Sequence, residues 1–185
     1  MWVAAMLLVT VTSVGLPLQS TTLQRMSLSQ LARAADAVVR ARCLGSTARW
    51  ESGAIWTLTD FEVIERFQGS PPSRIRITLP GGRVGGVSTR VEDVPQFRAG
   101  DDAVLFLEAR PDGGYAVTAW VEGTFRIRRA SGDGREFVTQ DSSGIAVFDP
   151  VTKQFRNEGV RNVPWSEFRQ RLADSLSMAQ RGGLR

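Results

Sequence analysis

The spacing of apolar positions changes period several times along the chain. Ser27 stands before a short run in which Leu28, Leu31 and Ala35 share one helical face, and Gln30 takes the third helical position, the reciprocal pattern of a capping box. A short lead-in helix within 21–36 is predicted. From Ala37 the period becomes two, in DAVVRARCL, and a turn at Glu51-Ser52-Gly53 leads to a second long strand, Ile55 to Phe67. Gly69-Ser70-Pro71-Pro72 interrupts the chain before RIRITL, Arg74 to Leu79, alternates again. Ala103 to Leu107, AVLFL, is apolar without alternation, which predicts a strand buried on both faces. Asp112-Gly113-Gly114 and Asp133-Gly134 are hairpin signals, because these residues accept positive φ in tight turns. An extended connection over 141–163 precedes a helix that starts at Pro164, with Trp165, Phe168, Leu172 and Leu176 on one stripe. Short strands between turns, flanked by two helices, predict a small closed or half-closed barrel.

Residues before Arg25 follow a different pattern. MWVAAMLLVTVTSVGLPLQS carries no charge, and its apolar core from Val3 to Val14 has the length of an export signal and falls short of the roughly 20 residues of a bilayer span. Residues 1–20 therefore predict a signal peptide, and the remaining 165 residues keep the whole net charge of +4. An exported chain, periplasmic or released, with Cys43 alone has no internal disulfide and depends on its core. On the run Val39, Ala41, Cys43 the thiol reads as a small buried hydrophobe.

What is missing excludes several chemistries. The chain has no histidine, which removes the Ser-His-Asp triad, histidine-based zinc sites and the usual acid–base residue near neutral pH. Glu92-Asp93 and Asp101-Asp102 read as solvated loop pairs, and Ser142-Ser143-Gly144 lacks the G-x-S-x-G elbow. No calcium-loop pattern exists, and no cofactor or metal is expected. All basic residues but Lys153 are arginine, the better fork for carboxylate and phosphate, although a coding bias gives the same count.

TLPGGRVGGVST, Thr78 to Thr89, raises the possibility of a phosphate cradle. Gly81, Gly82, Gly85 and Gly86 match neither G-x-G-x-x-G nor G-x-x-x-x-G-K-[ST], and no helical period follows them. A loop of a β fold is expected there, with an anion-binding nest as the alternative.

The segments ADAVVRARCLG, FEVIERFQGSPP, ITLPGG, PQFRAGDDAVLFL and VEGTFRI occur in an order similar to that of a group of exported bacterial proteins of unknown function. Their barrel resembles the OB-type domain of tissue inhibitors of metalloproteinases, and the most specific phrase is FRAGDDAVLFL. The resemblance spans Asp36 to Arg128. It implies a mainly β fold: a five-stranded OB-like barrel over 37–140 with an extra hairpin, the short N-terminal helix, and a C-terminal helix over 164–180 packed on the barrel. By analogy it also implies protein binding. Those inhibitors place an N-terminal cysteine on the target's zinc and hold the barrel with disulfides; neither feature exists here, so their chelating mechanism is carried to no residue of this chain.

Two surfaces are candidates for binding. Arg40 and Arg42, Arg74 and Arg76, and Arg126 and Arg128 each share one strand face, and on neighbouring outward faces these six would form a basic stripe. Trp50 and Trp56, around the first inter-strand turn, would add stacking surfaces. Ordinary cross-strand pairing with Asp60 and Glu62 is the competing reading of these arginines. The expectation is an exported, non-catalytic binding module that engages another exported protein through the barrel rim and glycine loop. Polyanion binding, to acidic polysaccharide or nucleic acid, is the alternative, and a carboxylate-only hydrolase is the second alternative.

Overall fold

The structure, a computed structural model, describes residues 25–144, 147–149, 153–156 and 159–182; the expected leader over 1–20 lies outside them. Helix α1, Leu28–Ala34, is capped as its spacing predicts, with Gln30 N donating to Ser27 Oγ at 3.3 Å and Ser27 N donating to Gln30 Oε1 at 2.8 Å. Strands β1, Ala37–Glu51, and β2, Ala54–Gln68, pair antiparallel along their lengths. Ser52 and Gly53 join them with φ of 50° and 80°, the pattern of a type I′ turn, whose twist matches that of the flanking strands.

Strand β3, Arg74–Pro80, follows on the far side of β2. The glycine-rich segment is more regular than a loop: β4, Gly82–Val84, and β5, Val87–Thr89, form a hairpin of their own with Gly85-Gly86 at its tip. Strand β6, Asp102–Ala109, and β7, Tyr115–Val117, are joined through Asp112-Gly113-Gly114, where Gly113 has φ of 80°. Strand β8, Thr124–Arg129, and β9, Glu136–Gln140, are joined around Asp133-Gly134. The span expected as an extended connection contains a 3-10 turn at Asp141–Gly144, a small hairpin of β10, Val147–Asp149, with β11, Gln154–Arg156, and a two-residue bridge, β12, Val163–Pro164. Helix α2, Trp165–Gly182, completes the chain order.

Strands β1, β2, β3, β7 and β6 close on themselves in that order, forming a five-stranded barrel. The β3–β7 contact is parallel and other neighbours in the ring are antiparallel, the arrangement of an OB-like barrel. Closure rests on six registered pairs between β1 and β6, from Ala37↔Leu107 to Arg42↔Asp102, whereas β3 and β7 meet at the single bridge Ile77↔Tyr115. Strands β8, β9 and β12 continue the sheet from β6 outside the ring.

Strand β6 consequently has a core on each face. Ala103, Leu105 and Leu107 enter the barrel with Val39, Ala41, Cys43, Phe61 and Ile77, where small alanines accommodate the edge-to-face pair Phe61 and Phe97, 4.9 Å apart. Val104 and Phe106 point the other way, into a second core with Val38, Phe125, Val138, Leu31 of α1, and Phe168, Leu172 and Leu176 of α2. Cys43 lies inside the barrel as the alternation predicts, and burial pushes its thiol pKa up. Truncating Leu105 or Phe106 to alanine is expected to cost about 2–5 kcal/mol each in urea unfolding. Amide exchange in β3 and in α2 should report one shared transition, because the same strand carries both cores; separated transitions would show that the cores are independent.

Candidate functional site

The start of β6 borders a cleft. Strand β1 follows β6 only to Arg42, and the turn before β6 then holds it through Cys43 N donating to Asp101 O and Gly100 N donating to Cys43 O, both at 2.8 Å. Strand β8 pairs with the first residues of β6 and runs on to Arg129. Between the diverging β1 and β8 opens a cleft of about 700 Å³, lined by charged side chains from both strands and from the 96–102 segment.

Two ion-pair networks form its walls. Asp102 and Asp101 are adjacent in sequence and face opposite sides of the sheet, so each meets a different arginine. On the helix side, Arg40 Nη2 donates to Asp102 Oδ2 at 2.7 Å and to Glu136 Oε1 at 2.8 Å, and its guanidinium stacks over Trp165 at 4.9 Å from the ring centroid. The Arg40 side chain is only 12% exposed, and its hydrogen bond to Asp102 leads in raising its pKa further, against partial desolvation. The hydrogen bonds of Arg40 hold the Glu136 carboxyl below its ordinary value, with Arg129 adding to the effect. On the other side, Arg126 donates to Asp101 Oδ2 at 2.7 Å, to Asp141 Oδ2 at 2.9 Å and to the Gln96 carbonyl at 2.7 Å, and lies 4.5 Å from the centroid of Phe97. It thereby closes one end of the barrel core. The loop-pair reading of Asp101-Asp102 is therefore corrected: both anchor half-buried guanidinium groups.

The predicted residues fall into three places. Trp56, Arg74 and Arg76 share the outer face of β1–β2–β3, where register sets Trp56 against Pro80, Asp60 against Arg76 and Glu62 against Arg74. Arg76 and Asp60 form an exposed two-pronged pair at 2.7 and 3.0 Å, which lowers the Asp60 pKa and raises that of Arg76. Trp50 lies on the opposite face of the β1–β2 arm, two residues beyond Ala48, and is 51% exposed. That face also carries the glycine hairpin. Gly81 N donates to Ile55 O at 2.8 Å and Thr57 Oγ1 donates to Gly81 O at 2.7 Å. Gly82 has φ of 134°, and a Cβ there would lie 2.4 Å from Thr57 Oγ1, so close approach explains this glycine. Gly85 and Gly86 have open space around them.

Arg126 and Arg128 belong to the cleft, with Arg126 committed to its carboxylates and Arg128 exposed. The six arginines do not form one stripe. Strand β3 neighbours β2 and β7 whereas β8 neighbours β6 and β9, and although Arg40 and Arg42 share one face of β1, Trp165 of α2 covers Arg40 while Arg42 stays exposed. Arg98, Arg129 and Glu136 also line the cleft and carry no alternation signal that assigns them to it, since Arg98 precedes β6 and the other two lie at the ends of a hairpin. Among the described residues, no group of three or more acidic or cysteine side chains is placed to hold a metal ion.

Replacing Arg40 with methionine keeps a stem against Trp165 and strands two carboxylates. The expected loss near neutral pH is about 2–3 kcal/mol, under the roughly 3–5 kcal/mol of a fully buried pair because part of the network touches solvent. Glu136 has a depressed folded pKa, so its share of the stability is present above the unfolded carboxylate range and disappears as pH falls through the folded value. The gap between wild type and Arg40→Met in urea titrations should therefore narrow as the pH drops below 4.5, the ordinary glutamate value.

No protein-family model and no curated protein sequence matches this chain.

Proposed function

We propose that the chain is an exported, non-catalytic binding module that engages another exported protein through the barrel rim. The contact surface is the β1–β2 arm together with the glycine hairpin packed on it. One observation carries this reading: beyond Arg42 strand β1 no longer pairs with β6, and the face that carries the glycine hairpin exposes large apolar side chains, with Trp50 51% accessible and Val87 of the hairpin 49%. Arg49 and Glu51, on the opposite face of the strand, pair with each other and leave Trp50 without a charged partner there. Exposed tryptophan is among the residues enriched in interface hot spots.

The surface is also pre-organised, which lowers the ordering cost of binding. A tight two-residue turn sets the arm's twist, and the close approach of Gly82 to Thr57 and Ala48 holds the hairpin against it. Export is supported by the uncharged apolar run from Val3 to Val14, and the resemblance to exported proteins with an OB-type barrel points to the same setting. Binding here needs neither a terminal cysteine nor disulfides.

The test is affinity capture from the envelope and culture fluid of the source, comparing wild type with Trp50→Ser/Val87→Ser. Both side chains are exposed, so the variant should melt as wild type does. One exported protein, retained at moderate salt by wild type, should bind the variant about thirtyfold more weakly or worse, the loss of roughly 2 kcal/mol that a tryptophan hot spot carries. Equal capture by both proteins, or substrate turnover by the purified chain without a partner, would overturn the proposal.

A further inference from the structure

We infer that the cleft between β1 and β8 binds multiply charged oxyanion ligands, bearing sulfate or phosphate groups, through the guanidinium groups of Arg42, Arg98 and Arg128. This site uses none of the rim residues of the protein-binding surface.

The charges around the cleft are unequal in number and in availability. Its four carboxylates all accept hydrogen bonds from arginine: Asp102 and Glu136 from Arg40, Asp101 and Asp141 from Arg126, with Arg129 adding a contact to Glu136. Counting Arg40 with the lining arginines, six guanidinium groups face four carboxylates, a formal charge of +2. The excess is not diffuse. Arg42, Arg98 and Arg128 stand on three different elements, the first on β1, the second before β6 and the third on β8, and their side chains make no hydrogen bond or ion pair among the described residues. Arg76 on the outer face, by contrast, is tied to Asp60.

Such an arrangement selects a chemistry. A guanidinium group is planar, permanently charged and weakly hydrated, and it presents paired N–H donors that match tetrahedral and carboxylate oxyanions. Three of them across a volume of about 700 Å³ leave room for a ligand with more than one charged group. The half-buried networks of Arg40 and Arg126 hold the two walls, so the cleft is in place before a ligand arrives. The carboxylates that would compete for the free guanidinium groups are already occupied.

The experiment titrates the full chain calorimetrically with two probes, inorganic triphosphate and dextran sulfate, at low and moderate salt. Binding of triphosphate would identify a discrete ligand, and binding of dextran sulfate alone would identify groups carried on a polymer; either supports the site. The triple variant Arg42→Gln/Arg98→Gln/Arg128→Gln should bind about tenfold more weakly or worse, added salt should weaken the wild type, and the control Arg74→Gln/Arg76→Gln should change affinity by less than about twofold. Should the triple variant melt early, the three single substitutions decide the matter, each with an expected loss of about threefold. Failure of both probes to bind wild type, wild-type affinity in the arginine variants, or an equal loss in the control would overturn the inference.

Discussion

Burial of β6 on both faces is the constraint on which the rest of the structure depends. Val104, Leu105, Phe106 and Leu107 are all fully buried, with alternate residues serving the barrel and the helix-covered layer. A strand of this kind cannot remain at the surface, because either apolar face left open would cost the transfer free energy of several large side chains. One face is covered by the rest of the ring. The other requires α1 and α2, from opposite ends of the described chain, together with β8 and β9. Ring closure follows from the same strand, since β1 and β6 share six pairs and β3 and β7 only one.

Charge is organised where this shared sheet ends. Strand β6 begins with an acidic residue, Asp102, preceded by another, Asp101, and alternation sends the two to opposite faces. Each would be costly to leave half-buried alone, and each is met by an arginine from another strand. The networks thus brace the point at which β1 and β8 diverge. They also use up the local negative charge, which leaves Arg42, Arg98 and Arg128 facing solvent without a partner among the described residues. Anchoring and unpaired arginines are thereby separated by burial although Arg40 and Arg42, and Arg126 and Arg128, share one face of the same strand.

The rim has a different physical origin. An arm longer than the barrel needs nothing from the core beyond Cys43, and its stability comes from cross-strand pairing, the turn at Ser52-Gly53 and the hairpin laid on one face. Among apolar residues there, Ile55 packs against Gly82 and is buried, whereas Trp50 and Val87 have no interior to enter. Both stay exposed, on the face opposite that of Trp56, Arg74 and Arg76. The protein accordingly presents a mixed apolar rim and a separate arginine cleft at the base of the arm.

Local chemistry made much of the fold legible in the sequence. The capping box of Ser27 and Gln30, the Asp-Gly turns, the alternation of β1 and β3, the apolar stripe of α2 and the two-sided burial of AVLFL all depend on residues within a few positions of each other, so the chain alone determined them. The glycine run was legible as a connection but not as a hairpin, because its reason lies in the distant Thr57 and Ala48. The site was less accessible still. Arg40 meets Asp102 at a separation of 62 residues and Glu136 at 96, and nothing in the pattern of either segment distinguishes a half-buried anchoring arginine from its exposed neighbour Arg42. Only the order in which strands β1, β6 and β8 lie side by side decided which arginines were neutralised and which were left to line a cleft, because ion pairing depends on distance through space and alternation reports only which face a residue takes.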